Sequence, residues 1–169
     1  AVAAEAAQGE VCQAANDNSD GQVVISGHKA AVERAGEIAK AKGAKRVVML
    51  PVSAPFHCAL MAPAAAAMRD AFQNVTMNVP AVPVIANVRA TPVIDPVEIG
   101  RTLVEQVTGT VRWRECVSHM AGHGITQLTR QQRDNFCREI NIQLCEDKGD
   151  GLRVFIKKVW HKRVLGAGS

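Results

Sequence analysis

The chain has 169 residues, of which 47% are hydrophobic and 21% are charged, a composition typical of one soluble globular domain with its own core. Its longest apolar runs are rich in alanine, interrupted by proline and shorter than the roughly 20 residues that span a bilayer, so no membrane span is expected. The formal charge of +4 lies in the last quarter, because residues 1–128 hold eleven basic and eleven acidic side chains whereas 129–169 hold nine and five.

The first third of the sequence predicts a compact α/β module. Its expected elements are a helix over 1–8 ending at Gly9, a strand over 10–15, a turn over 16–21, a strand over 22–27, a helix over 28–42 ending at Gly43 and a strand over 46–50. The helix over 28–42 places Ala31, Val32, Ala35 and Ile38 on one face at helical spacing, with charges on the other. The last strand would lead the chain directly into a proline-rich segment over 51–61.

The second part of the sequence is expected to be mostly helical. Its predicted elements are a helix over 60–75, an extended stretch over 80–94, helices over 95–107 and 111–124, and a short strand over 125–128. Pro63 is compatible with the first of these helices only in its first turn. Asp95 and Pro96 suit the cap and the first position of the next. At Thr129 the character changes to a basic amphipathic helix over 129–151 and a strand-like run over 152–160.

Five widely spaced cysteines without a CxxC pair argue against a disulfide framework or a zinc finger. A reducing cytoplasm is the expected setting. The N-terminus lacks a methionine and a basic leader and carries Glu5 and Glu10, so it does not indicate a secretory signal. We expect the chain to begin part-way through a longer protein.

Glycine-rich catalytic motifs are absent from the sequence: it contains no GxSxG, GxGxxG or GxxxxGK[ST]. No nucleophile is therefore evident. Cys116, His119 and His123 have a spacing that could place three metal ligands on one helix face, but no carboxylate or second cysteine completes the set, so no metal site is predicted. A thiol dyad of His57 and Cys58 is not expected either, because neighbours in an extended segment point to opposite sides.

His57 is the strongest candidate for chemistry. Prolines before it and a helix after it would hold its imidazole at the rim of a sheet, where a general base has to be fixed and partly exposed. The pattern alone leaves two interpretations open, a catalytic base and a structural histidine, and favours the second.

Three stretches, NDNSDGQVVISGHKAAVERA, AKGAKRVVMLPVSAPFHCALM and TLVEQVTGTVRW, together resemble malonyl-CoA:acyl carrier protein transacylases of bacterial fatty-acid synthesis. The resemblance runs from about Gln8 to Leu128. It implies that His57 activates a serine nucleophile, that a malonyl-serine intermediate forms, and that the malonyl group passes to the phosphopantetheine thiol of acyl carrier protein. It also implies that a backbone carbonyl, at Gln106 in this sequence, holds the other nitrogen of His57.

The same resemblance suggests substrate-side residues and a fold. Asn18 and Ser19 match a turn near the acyl-thioester cleft. Phe56 matches a bulky residue that leaves little room for an α-methyl group, so malonyl is expected over methylmalonyl. The implied fold is α/β, with most of a ferredoxin-like small subdomain over 1–54, the C-terminal part of an α/β-hydrolase-like core over 55–128, and an unassigned basic tail over 129–169.

The resemblance also implies what these 169 residues do not carry. The GHSxG nucleophile, an oxyanion-hole glutamine and a malonate-binding arginine belong to a missing N-terminal half, so the chain alone is expected to be inactive. Its expected partners are acyl carrier protein, malonyl-CoA and either the missing half or another copy, which would cover exposed apolar edges. No bound cofactor is expected. One alternative is a non-catalytic module that binds carrier protein. Another is that the basic tail contacts nucleic acid. We do not expect this contact, and binding that weakens steeply with salt would be needed to support it.

Overall fold

The computed structural model of the chain describes residues 1–125. The chain divides into two units, Ala1–Gly122 and His123–Ser169, and every element below belongs to the first. These elements are α1 (Val2–Ala7), β1 (Cys12–Ser19), β2 (Gln22–Gly27), α2 (Lys29–Ala41), a 3₁₀ turn (Ala59–Met61), α3 (Ala62–Phe72), β3 (Val84–Ala86), β4 (Thr91–Val93), α4 (Pro96–Thr108) and α5 (Trp113–Gly122). The predicted mixture of helices and strands is confirmed.

An antiparallel hairpin and two helices form the first part of this unit. β1 pairs with β2 from Cys12 opposite Gly27 to Ser19 opposite Gln22. One buried cluster joins α1, β1 and α2, and it consists of Ala6, Cys12, Ala31 and Ala35. These small side chains allow the helices and the hairpin to approach closely, and the predicted apolar face of α2 is the face that packs.

The C-terminus of α1 is held by a side chain from α2. Arg34 donates hydrogen bonds to the carbonyl oxygens of Ala6 at 2.9 Å and Ala7 at 3.3 Å, and its guanidinium lies 2.6 Å from the Glu10 carboxylate. The last carbonyls of a helix have no partner inside the helix, so this cation satisfies two of them and also favours the negative end of the helix dipole.

The predicted turn over 16–21 is mostly wrong. β1 continues to Ser19, and only Asp20 and Gly21 form the turn, with Gly21 at φ 77°. Residues that favour turns are drawn into a strand here because it has partners on both edges. Besides pairing with β2, Asp17 donates its amide to the carbonyl of Val111 at 2.9 Å. Backbone pairing at both edges outweighs the local preference.

The predicted strand over 46–50 is also wrong, since these residues have no regular secondary structure. Within residues 1–125 no neighbouring strand pairs with them, and an extended segment becomes a strand only through such pairing. Val48 and Met49 are 42% and 50% exposed. The apolar surface expected on this chain is therefore present, and Val79, Val82 and Val97 add to it, each more than two-thirds exposed.

The second part of the unit packs α3 against α4 and joins them to the short β3–β4 hairpin. Pro63 lies in the first turn of α3, and the Asp95 side chain accepts a hydrogen bond from the amide of Glu98 at 2.9 Å, so both helix starts are confirmed. Arg89, in the turn of the hairpin, pairs with Glu98 and Glu105 of α4. Hydrogen bonds to Glu105 and Glu98 raise the pKa of Arg89.

None of the helices within residues 1–125 is both long and apolar enough to cross a membrane. Residues 126–169 lie outside the described part of the chain. The predicted strand over 125–128, the basic helix over 129–151 and the strand over 152–160 fall there, apart from Ile125.

Candidate active site

His57 lies on an irregular segment that ends where the 3₁₀ turn before α3 begins. Its backbone adopts φ 59°, a left-handed conformation that is uncommon for a residue with a side chain. Cys58 follows in an extended conformation and is completely buried, with its thiol 3.1 Å from the carbonyl oxygen of Pro55. The buried thiol anchors the chain next to the histidine, whose imidazole is half-buried.

One contact defines the orientation of the imidazole. Nδ1 of His57 lies 2.8 Å from the carbonyl oxygen of Gln106, near the end of α4. A carbonyl oxygen only accepts hydrogen bonds, so Nδ1 has to be the nitrogen that carries the proton. In the neutral ring the lone pair is then on Nε2, which can accept a proton from another group.

Gln106 is held in place by its own side chain. Its Nε2 donates a hydrogen bond to the carbonyl oxygen of Gly109 at 2.8 Å, and the amide of Gly109 donates to Glu105 at 2.9 Å. A Cβ atom at Gly109 would lie 2.6 Å from a methyl carbon of Val88, so this tight end of α4 requires glycine. Gln106 Oε1 is buried and has no hydrogen-bond partner among residues 1–125.

Of the other predicted site residues, Phe56 lies on the same irregular segment as His57, whereas Asn18 and Ser19 lie on β1. Phe56 precedes His57 and is 50% exposed. Asn18 and Ser19 form the end of β1, where Asn18 is buried and the Ser19 hydroxyl lies 3.4 Å from Oε1 of Gln22. Among the predicted site residues, the structure shows a contact between His57 and Gln106.

Metal and thiol chemistry have little support in the described residues. No group of three or more histidine, cysteine, aspartate or glutamate side chains within 1–125 could hold a metal ion. Cys116 is buried, and its thiol lies 3.5 Å from Oδ1 of Asn87. Burial raises the pKa of the Cys12 thiol, which disfavours its nucleophilic thiolate.

Sequence reasoning missed one residue next to this site. Oε1 of Gln13, on β1, accepts a hydrogen bond from the backbone amide of Ala59 at 2.7 Å. Ala59 is two residues after His57. The contact joins positions 46 residues apart, and no local pattern in the sequence marks a glutamine in a strand as the partner of a distant turn.

Sequence comparison finds relatives that match about three quarters of the chain. The malonyl CoA-acyl carrier protein transacylase of Escherichia coli strain K12 is 48% identical over 124 residues, which are 73% of this chain and 40% of that protein. The predicted resemblance to malonyl-CoA:acyl carrier protein transacylases is confirmed. The transacylase of Bacillus subtilis is 40% identical over 119 residues. No protein-family profile matches the chain.

Solved structures of malonyltransferases agree with the fold described above. The acyl carrier protein S-malonyltransferase of Vibrio cholerae superposes with a TM-score of 0.73 at 50% identity, over 74% of this chain and 41% of that one. A malonyl-transacylase solved in complex with its type II PKS acyl-carrier protein also gives 0.73, at 43% identity, over 75% and 41%. The chain spans about 40% of the length of the transacylases that it matches.

Proposed function

We propose that this chain is the partial form of a malonyltransferase, with His57 as the general base. In this proposal a serine outside these 169 residues receives the malonyl group of malonyl-CoA and passes it to the phosphopantetheine thiol of acyl carrier protein. The observation that carries the proposal is the 2.8 Å contact between His57 Nδ1 and the Gln106 carbonyl, because it leaves the lone pair of Nε2 available to the nucleophile.

The proposed reaction has two acyl transfers. In the first, Nε2 takes the proton of the serine hydroxyl while the oxygen attacks the thioester carbonyl, and the proton then goes to the departing thiolate of coenzyme A. In the second, Nε2 takes the proton of the phosphopantetheine thiol, whose sulfur attacks the malonyl ester, and the serine oxygen recovers that proton. In both, the Gln106 carbonyl stabilises the imidazolium by accepting from Nδ1.

The substrate residues and the domains are part of the same proposal. Phe56 forms a wall of the acyl pocket that disfavours an α-methyl group, and Asn18 and Ser19 lie on the substrate side. Residues 1–54 form most of a ferredoxin-like subdomain, which the hairpin with its two helices supports. Residues 55–128 form the C-terminal part of an α/β-hydrolase-like core, 129–169 is a basic tail, and the setting is the cytoplasm.

The missing nucleophile would come from residues outside these 169. The exposed valines of 75–97 support this, since they leave apolar side chains that further residues of the enzyme could cover. An oxyanion hole and a cationic partner for the malonate carboxylate would come from the same source. The chain alone would therefore be inactive.

The experiment measures malonyl transfer from malonyl-CoA to holo acyl carrier protein. The chain is assayed alone and then mixed with the part of the Escherichia coli transacylase that lies outside the 124-residue match. We expect transfer only in the mixture, and its loss with His57→Ala but not with His119→Ala, a histidine of α5. Absence of transfer from a folded mixture contradicts the proposal.

A second candidate function is a non-catalytic module that binds carrier protein. The lack of a GxSxG motif in all 169 residues favours it. Binding of acyl carrier protein by the chain, without transfer in any mixture, is the outcome that selects this alternative.

A further inference from the structure

The backbone amide just after the His57–Cys58 pair is held by a side chain from another element. Ala59 begins the 3₁₀ turn Ala59–Met61, and the first amide of such a turn has no partner within it. Cys58, which precedes the turn, contributes no capping hydrogen bond. Gln13 of β1 fills that role, since its Oε1 accepts from the Ala59 amide at 2.7 Å.

The same strand also holds the chain that follows α4. The hydroxyl of Thr110 donates to the carbonyl of Ala14 at 2.6 Å, and the amide of Val111 donates to the carbonyl of Ala15 at 2.8 Å. α4 ends just before these residues and carries Gln106 in its last turn. Three consecutive residues of β1 therefore brace both the histidine segment and the helix end that supplies its carbonyl partner.

We propose that Gln13 is a positioning residue for His57, an inference that rests on the proposed function. His57 occupies a left-handed conformation that its own side chain disfavours, so contacts outside the segment have to maintain it. Cys58 anchors the backbone by burial, and Gln13 anchors the next residue by a hydrogen bond. Without the second anchor, the backbone at His57 can relax and carry Nδ1 away from the Gln106 carbonyl.

The inference predicts a specific effect on the imidazole. When the carbonyl contact is kept, the neutral ring has its proton on Nδ1. When the contact is lost, the proton distributes between the two nitrogens, as in a free histidine. A residue with a purely structural role in β1 would lower stability without changing this distribution in the folded chain.

The test is an NMR measurement of the His57 ring nitrogens in the full 169-residue chain, at a pH where the ring is neutral. Gln13→Met keeps the length of the side chain but offers no oxygen acceptor, and Gln13→Glu keeps the acceptor. Gln73→Met, at the end of α3, is the matched control. We expect the Nδ1-protonated form in the unmodified chain, in Gln13→Glu and in Gln73→Met, and a mixture of forms in Gln13→Met.

A kinetic arm uses the mixture with the complementary part of the Escherichia coli transacylase. We expect Gln13→Met to lower kcat on the order of 10-fold to 100-fold with KM for malonyl-CoA unchanged, because misplacing a catalytic group affects the reacting step. Gln13→Glu should restore most of the rate.

The two proposals fail in different ways. If the Ala59 amide signal moves in Gln13→Met while the His57 nitrogens keep their signals, Gln13 does not position His57. If the unmodified chain lacks the Nδ1-protonated form, the proposed function is overturned instead. Should Gln13→Met not fold, Gln13→Asn, whose amide falls one methylene short of Ala59, is compared in the same way.

Discussion

Replacing His57 by glycine and by alanine tests whether strain is stored at the proposed catalytic position. Both variants lose the hydrogen bond to Gln106, which contributes about 1 kcal/mol to the free energy of unfolding. Alanine keeps the left-handed conformation at φ 59°, which costs roughly 1–2 kcal/mol for a residue with a Cβ atom. Glycine removes that cost. Relative to alanine, however, glycine gives the unfolded chain more conformational freedom, which lowers the free energy of unfolding by about 0.4–1 kcal/mol.

The difference between the two variants follows from these contributions. We expect His57→Gly to be more stable than His57→Ala by about 0.5–1 kcal/mol, although both lose reconstituted transfer. Urea unfolding followed by circular dichroism measures the difference. Ala67→Gly, at an exposed position inside α3, is the matched control and should lower stability by about 1 kcal/mol. If His57→Gly is less stable than His57→Ala, as at the control site, the strain argument is refuted.

Three further predictions concern the scaffold around the site. Arg34→Met should lower the free energy of unfolding by about 1–2 kcal/mol in urea titrations, since it leaves helix carbonyls without their cationic donor, and Arg34→Lys should lose less. Asp95→Ala should cost about 1 kcal/mol in thermal unfolding, whereas Asp95→Asn should retain most of the cap. The hydrogen bond from Arg112 lowers the pKa of Glu115 from 4.5, so its stabilising contribution is present above that pH and is lost as the pH falls through the lowered value. Glu115→Gln should therefore lose less stability than the unmodified chain as the pH is lowered below 4.5, and an equal loss would contradict the assignment.

Elements with strong local signals were predictable from the sequence. α2 shows its apolar face at Ala31 and Ala35, and its end is followed by Gly43 at φ 89°. α4 starts where Asp95 and Pro96 predict it. In each case the information that sets the boundary lies within a few residues of it, as helix capping requires.

Predictions that depended on distant partners failed. The segment 16–19 favours turns, yet it pairs with β2 and with Val111, almost one hundred residues along the chain. The segment 46–50 favours a strand, yet no strand within residues 1–125 pairs with it. Local propensity is a weak guide wherever edge pairing decides the outcome.

The candidate site depends both on a local sequence motif and on contacts with residues far away in the sequence. The resemblance predicted His57 and Gln106 as site residues, but the backbone conformation of His57 depends on contacts that no motif contains. Gln106 and Gln13 lie 49 and 46 residues from the positions that they hold. Strand β1 braces both the histidine segment and the end of α4, because Gln13 contacts Ala59 and the next residue, Ala14, contacts Thr110. A substitution at Gln13 of β1, which leaves the motif intact, should therefore change which ring nitrogen of His57 carries the proton. A substitution on the exposed face of α3 should not.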